Sequence, residues 1–203
     1  MYTSLKQFCD SLPGNFNAIP AERKIILQSI ANYIQEKKDK SQPTNLVYIC
    51  THNSRRSHFG QVWAAVAAHY YDVKNIHTFS GGTEVTAFNP NAINALIQTG
   101  FVVKADYKKS NPLYHIHFSE DNYSECFSKV YDDINNPREN FAAIMTCGSA
   151  ETNCPFIPNC ELRIATTYND PKASDNSPEQ NETYYNRSKE IATEIFYTFS
   201  LIH

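Results

Sequence analysis

Three features that would assign a chain to a membrane, to export or to nucleic acid are absent from this sequence. No apolar run approaches the roughly 20 residues that a membrane-spanning helix needs. The opening residues, MYTSLKQFCD, lack the basic and then apolar pattern of a secretory signal. Lysine and arginine number 18 against 21 aspartates and glutamates, and this net charge of −3 provides no broad basic surface for phosphate backbones. We therefore expect a cytoplasmic protein with neither a membrane nor a nucleic-acid partner.

Cysteines at the spacing of a zinc site are also absent. The six cysteines are Cys9, Cys50, Cys126, Cys147, Cys154 and Cys160. The intervals between the last three are too wide for paired C-x2-C knuckles, and no nearby histidine completes a set, so we predict no metal site. In a cytosolic chain of this size, thiols are more often catalytic or metal-binding than disulfide-bonded. We treat Cys9 and Cys126 as structural.

The apolar segments of the chain predict an α/β fold. Hydrophobic residues make up 41% of the 203 residues, enough for a core without disulfides. Four runs are typical of buried strands, namely NLVYIC, NIHTFS, FAAIMT and ELRIATT. Helical patterns begin at Ser57 and after Asn89, which can cap a helix, and a third closes the chain. This alternation of strands and helices predicts parallel strands.

The remaining segments are less regular. Residues 1–19 are expected to be irregular, and Pro20 opens a helix that a polar linker ends. The segments FVVKADY and PLYHIHFSE flank KKSN, which predicts a β-hairpin. The segment NYSECFSKVYDDI, residues 122–134, is expected to be a short helix.

A thiol, a polar loop and a helix follow one another at the end of the first predicted strand, in the sequence CTHNSRRS. Open α/β sheets bind ligands at the carboxyl ends of their strands. Backbone N–H groups and the helix dipole attract an anion at such a place, and Arg56 can add a planar, two-pronged donor. The same positive field favours the thiolate of a cysteine such as Cys50. Ser57 can hydrogen-bond that sulfur, and Asn53 can brace the loop.

These observations predict an oxyanion-binding loop with Cys50 as its nucleophile. The residues of the loop are Thr51, His52, Asn53, Ser54, Arg55, Arg56 and Ser57. The alternative is a buried cysteine at a strand end beside an exposed basic loop, with no chemistry.

The motif VYICTHNSRRS resembles the catalytic loop of the low-molecular-weight protein tyrosine phosphatase superfamily, and TFSGGTE and NPNAINALIQTGF resemble the segments that follow it in the arsenate reductase branch. The resemblance covers roughly residues 45–101 and 141–200. It implies a three-layer α/β/α sandwich with a four-stranded parallel central sheet. It also divides the chain into an N-terminal helical extension, 1–44, and a domain, 45–203, with a β-hairpin insertion at 102–140.

A second motif separates the branches of this superfamily. TCGSAETNCP places Cys147 and Cys154 seven residues apart after the third predicted strand. This C-x6-C-P pattern resembles the resolving pair of thioredoxin-coupled arsenate reductases, in which more than one thiol is needed because arsenate takes up two electrons. Asp170, followed by Pro171, resembles the superfamily's general acid on a mobile loop. The alternatives are a core thiol, a surface cysteine and an Asp-Pro turn.

The resemblance implies reduction of arsenate to arsenite. Cys50 attacks arsenic held by Arg56, Asp170 protonates the departing oxygen, and Cys147 and Cys154 carry the disulfide towards thioredoxin, the external reductant. No bound cofactor is implied.

Two other functions stay open at this point. The first is a phosphatase of the same superfamily, although KAS follows the Asp-Pro pair where those phosphatases usually carry tyrosines. The second is a non-catalytic oxyanion-binding module. Gln61 takes the place of a glutamate that helps some arsenate reductases bind potassium, so a potassium ion is not part of the prediction.

Overall fold

The computed structural model describes residues 1–105, 109–153 and 156–203, and within them strands and helices alternate along the chain. The strands are β1 (Thr44–Cys50), β2 (Ile76–Gly82), β3 (Val102–Ala105), β4 (Tyr114–His117), β5 (Tyr123–Cys126), β6 (Phe141–Met145) and β7 (Cys160–Ala165). The α-helices are α1 (Thr3–Ser11), α2 (Ala21–Asp39), α3 (Arg56–Tyr70), α4 (Pro90–Gln98), α5 (Gly148–Asn153) and α6 (Gln180–Ser200), with 3-10 helices at Leu12–Ala18 and Pro171–Ser174. None of the described helices is long and apolar enough to cross a membrane.

The central sheet has the strand order β2-β1-β6-β7, and each pair of neighbours is parallel. Strand β1 is buried along nearly its whole length, because its apolar side chains pack on both faces of the sheet. The carboxyl ends of the strands meet at one edge, where Cys50 pairs with Gly82. The four predicted strands and their parallel arrangement are confirmed.

Helices cover the two faces of this sheet unequally. Leu46 and Tyr48 point into a large apolar core that includes side chains of α1, α2, α3, α4 and α6. Val47 and Ile49 point into a smaller cluster that includes Ala150 of α5. The predicted three-layer sandwich is confirmed, with most of its helical packing on one side.

The N-terminal region is helical, which corrects the expectation that residues 1–19 are irregular. Helix α1 buries Leu5 and Cys9, and the 3-10 helix that follows buries Leu12. These three side chains recur at the spacing of one helical face. The turn-forming sequence SLPGN obscured that pattern, because it joins the end of α1 to the 3-10 helix rather than forming an open loop.

Strands β3, β4 and β5 form a second, antiparallel sheet. The β3–β4 hairpin is confirmed, with Val102 opposite His117, while residues 106–108 lie outside the described part of the chain. Strand β5 corrects the short helix expected over residues 122–134. Its sequence YSEC alternates between exposed and buried side chains, which is the period of a strand and not of a helix.

Candidate active site

Cys50 lies at the carboxyl edge of the central sheet, beside the amino end of α3. Its sulfur is 3.1 Å from Ser57 Oγ, within hydrogen-bonding distance for sulfur. Because Ser57 stands in the first turn of α3, the sulfur lies where the helix dipole favours negative charge. The residue is only 3% exposed, so the sulfur is reached through the loop and not from open solvent.

A glycine on the neighbouring strand lets the loop after Cys50 pass close to the sheet. A Cβ atom at Gly82 would stand 2.6 Å from Thr51 O and 2.7 Å from Asn53 N, both too close for a side chain. Beyond this glycine, Thr83 N and Glu84 N donate hydrogen bonds to Thr51 O at 2.8 and 2.9 Å. The end of β2 and the two residues after it therefore hold the start of the loop.

Asn53 braces the middle of the loop from inside. Its φ of +43° is in the left-handed region, which asparagine tolerates better than most residues. Its Nδ2 donates to Ser57 Oγ at 2.9 Å, and its Oδ1 accepts from Lys129 N at 2.9 Å. The fully buried Asn53 thereby fixes the hydroxyl that contacts the Cys50 sulfur.

The carbonyl oxygens and side chains of the loop are used to hold it in place. His52 O accepts from Ser128 Oγ at 3.0 Å, and Ser54 Oγ donates to Ala87 O at 2.7 Å. Among the hydrogen bonds of the described residues, none uses the backbone N–H groups of residues 52–57. A set of such donors at the start of a helix is suited to a tetrahedral oxyanion.

Arg56 joins this loop to Asp170. Its Nη2 donates to Asp170 Oδ2 at 2.6 Å, and its Nη1 donates to Tyr168 O at 2.9 Å. The Nε atom is buried and has no hydrogen-bond partner among the described residues, so it can donate to a bound oxyanion. Asp170 also caps the 3-10 helix after it by accepting from Lys172 N, and its side chain is 32% exposed.

Arg55 differs from Arg56 in the side chains that its guanidinium contacts. Its Nε donates to Tyr184 OH at 2.9 Å and lies 4.0 Å from Asp170 Oδ1, while Nη2 lies 3.9 Å from Asp175 Oδ2. The His52 ring is half-buried and lies 3.5 Å from a carboxylate oxygen of Glu84. Arg55 and His52 are both predicted to bind the oxyanion. Because their side chains have other partners in the structure, their backbone N–H groups are the donors that remain for an oxyanion.

A second buried thiol lies beside the loop. Cys147 follows β6 and is 1% exposed, in the same apolar cluster as Cys50. Its sulfur is 3.4 Å from Thr51 Oγ1 and accepts from Ala150 N at 3.3 Å, at the start of α5. The structure thus brings the Cys147 thiol next to the residue that follows Cys50.

The other cysteines are placed differently. Cys154 lies outside the described residues. Cys160 begins β7 opposite Phe141, at the amino edge of the sheet and therefore away from Cys50. Burial raises the pKa of Cys9 and of Cys126 to about 12, so both remain protonated core thiols.

The side chain of Gln61 is held by two hydrogen bonds within the protein. Its Nε2 donates to Glu125 O at 2.8 Å, and its Oε1 accepts from Ser80 Oγ at 2.6 Å. Within residues 1–105, 109–153 and 156–203, no group of three histidine, cysteine or acidic side chains is arranged to hold a metal ion.

Sequence reasoning missed three residues that contact the site, Tyr168, Asp175 and Tyr184. Tyr168 supplies a carbonyl to Arg56, and Tyr184 OH bridges Arg55 and Asp175. The helical pattern indicated that Tyr184 faces inward, but it gave no sign of a partner 129 residues away.

The comparisons with known proteins fall on enzymes of two kinds. The arsenate reductase of Bacillus licheniformis is 26% identical over 146 residues, covering 71% of this chain and 86% of the relative. That of Bacillus subtilis is 24% identical over the same length and coverage. The structure of a low-molecular-weight phosphotyrosine phosphatase from Vibrio cholerae matches with a TM-score of 0.52 at 12% identity, covering 76% of this chain and 93% of that chain. No protein-family model matches the chain.

The resemblance indicated by the loop motif is therefore confirmed in two independent ways. The phosphatase shares the fold with little sequence identity, and the arsenate reductases share sequence over most of the chain. The chain has the fold of the low-molecular-weight protein tyrosine phosphatases, and its sequence is similar to two arsenate reductases over 71% of its length.

Proposed function

We propose that the protein reduces arsenate to arsenite in the cytoplasm, with Cys50 as nucleophile and Cys147 as the thiol that resolves the adduct. The observation that carries this proposal is the position of the Cys147 sulfur, 3.4 Å from the hydroxyl of Thr51, next to Cys50. Hydrolysis of a phosphate ester needs one thiol, whereas a two-electron reduction needs a second one within reach. The similarity to two arsenate reductases supports the same choice.

The first step uses the loop, Arg56 and Asp170. Arsenate binds with its oxygens towards the N–H groups of residues 52–57 and towards Arg56 Nε. The Cys50 thiolate attacks arsenic and forms an S–As bond. One As–O bond breaks, and Asp170 supplies the proton with which that oxygen leaves as water.

The second step is a thiol–disulfide relay. Cys147 attacks the Cys50 sulfur, the S–As bond breaks, and its electron pair stays on arsenic, which leaves as arsenite. The resulting Cys50–Cys147 disulfide is then attacked by Cys154, which regenerates the Cys50 thiolate. The part of Cys154 rests on its place in the C-x6-C-P motif.

An external dithiol completes the cycle. Both Cys50 and Cys147 are almost fully buried, so a protein reductant cannot contact either sulfur directly. We propose that thioredoxin reduces the Cys147–Cys154 disulfide, and that no bound cofactor takes part.

Phosphate monoester hydrolysis is the second candidate. The unpaired N–H groups of the loop and the contact of Asp170 with Arg56 suit phosphate as well as arsenate. The fold match to a phosphotyrosine phosphatase favours it too. In that reaction Cys50 becomes a phosphocysteine, and Asp170 acts first as an acid and then as a base.

One pair of assays separates the two functions. Arsenite release with thioredoxin and thioredoxin reductase is measured beside the hydrolysis of an aryl phosphate. We expect arsenite release from the wild type and from the control Cys160→Ser, whose thiol lies at the other edge of the sheet, and none from Cys147→Ser. Aryl phosphate hydrolysis that survives Cys147→Ser, without arsenite release by the wild type, would instead establish the phosphatase.

A further inference from the structure

Arg23, in the N-terminal extension, reaches the segment that carries Asp170. Its Nη2 donates to Thr167 O at 2.9 Å, and its Nε lies 2.9 and 3.0 Å from the two carboxylate oxygens of Glu194. The Arg23 side chain is 16% exposed and that of Glu194 only 7%. Hydrogen bonds between buried ionised groups of this kind are stronger than neutral ones.

Tyr168 joins the same unit. Its hydroxyl donates to Glu194 Oε2 at 2.6 Å, and the Arg23 guanidinium lies 4.9 Å from the centre of its ring. Burial and the nearby negative charge of Glu194 raise the pKa of Tyr168, so its hydroxyl remains a donor. Arg23 and Glu194 therefore hold residues 167 and 168 through three groups: the carbonyl oxygen of Thr167, and the ring and the hydroxyl of Tyr168.

This unit ends at the candidate active site. Tyr168 O accepts from Arg56 Nη1 at 2.9 Å, and Asp170, two residues further along, accepts from Arg56 Nη2. A change in the position of residues 167 and 168 therefore moves an acceptor of Arg56 and the carboxylate of Asp170 together.

We propose that Arg23 is a positioning residue, through which the N-terminal extension holds Arg56 and Asp170 in their reactive arrangement. The inference rests on the proposed function only in that it takes Asp170 to be the general acid. It makes the extension part of the catalytic apparatus, although Arg23 itself touches neither the oxyanion nor Cys50.

Simple anchoring of the extension does not account for these contacts. Helix α2 is already attached by the buried side chains Leu27, Ile30 and Ile34, and by Lys37 and Tyr33, which both bond Glu161 of β7. The bond from Arg23 to Thr167 O is the contact of this helix that reaches the segment before Asp170. Its distinctive consequence is the fixed position of the Asp170 segment.

The test compares Arg23→Gln with Lys37→Gln. Both substitutions remove an ion pair between α2 and the rest of the domain, but only the first contacts residues 167 and 168. We expect Arg23→Gln to lower kcat for arsenate about ten-fold and to change KM less than about three-fold, because a general acid acts in the transition state. Lys37→Gln is expected to leave both kcat and KM within about two-fold of wild type.

Amide hydrogen exchange supplies a second readout that needs no substrate. The peptide covering residues 166–172 should exchange faster in Arg23→Gln than in Lys37→Gln or the wild type.

Two milder variants guard against a general loss of folding. Tyr168→Phe removes the hydroxyl that bonds Glu194 while keeping the ring, and it should show the same kcat effect at smaller size. Arg23→Lys should restore part of the loss.

The outcomes distinguish the inference from the proposed function. A kcat for Arg23→Gln no lower than that of Lys37→Gln, or unchanged exchange in residues 166–172, overturns the positioning role. If the wild type hydrolyses an aryl phosphate but does not reduce arsenate, the proposed function fails, and the same variants assayed on the aryl phosphate still decide the role of Arg23. If neither reaction occurs, the exchange comparison decides it alone.

Discussion

The carboxyl edge of the sheet and the apolar core beneath the helices both contain buried cysteines, but in different surroundings. Cys50 and Cys147 at the edge are no more exposed than 3%, and Cys9 and Cys126 in the core are fully buried. At the edge each sulfur has a polar neighbour, the hydroxyl of Ser57 for Cys50 and a backbone N–H for Cys147. In the core, burial dominates and raises the pKa of both thiols to about 12.

From this difference we expect that burial alone does not decide whether a thiol is reactive. A thiolate is stable only where hydrogen-bond donors or positive charge replace the water it has lost. The edge supplies such donors because a loop and a helix begin there, whereas the core supplies only hydrocarbon. The predictions below test this distinction, beginning with the largest effect.

Removal of the edge thiol should abolish activity. For Cys50→Ser we expect arsenite release to fall by more than about 10⁴-fold, as for other enzymes that lose their nucleophile. Cys126→Ser is the matched core variant, and it should retain most of the activity per folded molecule. Both are measured by arsenite release with thioredoxin present. Activity in Cys50→Ser above a few per cent of wild type would remove the basis of the comparison.

The two kinds of thiol should also differ in alkylation. At pH 7 we expect iodoacetamide to modify Cys50 at least about 1,000-fold faster than Cys9 or Cys126, because a protonated thiol with a pKa near 12 is almost never ionised at that pH. Mass spectrometry of digested samples gives the rate for each cysteine. Phosphate should slow the reaction of Cys50 alone. Equal rates for edge and core thiols in the folded protein would contradict the distinction.

Ser57→Ala should make the edge more like the core. The substitution removes the hydroxyl 3.1 Å from the Cys50 sulfur, and we expect kcat to fall about ten-fold and the alkylation rate of Cys50 to fall with it. Ser188→Ala is the matched control, because that buried hydroxyl accepts a hydrogen bond from Trp63 Nε1 away from the site. If Ser57→Ala lowers the stability of the protein but leaves the alkylation rate of Cys50 unchanged, the hydroxyl has only a structural role.

The smallest effect concerns stability at high pH. The Cys126 thiol has a pKa of about 12 in the folded protein, raised from an ordinary value of 9.0, so its contribution to stability is complete below pH 9 and is lost as pH rises towards 12. Between pH 8 and pH 10 the free energy of unfolding of the wild type should fall by about 1 kcal/mol more than that of Cys126→Ala. Urea unfolding under reducing conditions measures this difference. A parallel pH dependence in the two proteins would contradict it.

Much of the fold could be predicted because its determinants are local. The four strands of the central sheet are short apolar runs, and the loop after Cys50 lies between a strand and a helix that each have a clear pattern. Local patterns also misled. The SLPGN sequence conceals the helical face that Leu5, Cys9 and Leu12 form, and the alternation of exposed and buried side chains in β5 spans only four residues.

The site could be predicted only in part, because its contacts join distant segments. Cys50, Arg56 and Ser57 come from one motif and were identified together. The different roles of Arg55 and Arg56 depend on residues from position 168 onward, over 110 residues later, and no local pattern encodes such pairings. For the same reason Arg23 had no sequence signal, since its partners Thr167 and Glu194 lie 144 and 171 residues away.

The distance along the chain between Arg56 and its partners has a consequence for protein synthesis. A growing chain that has reached residue 150 already contains Cys50, Cys147 and the loop, but Asp170 and Tyr184 have not yet been made. Since α6 supplies Tyr184 and packs against α3, the loop acquires its full set of contacts only when almost the whole chain has left the ribosome. The nascent protein therefore carries Cys50 and Cys147 through most of translation before Asp170 and Tyr184 can contact the two arginines of the loop.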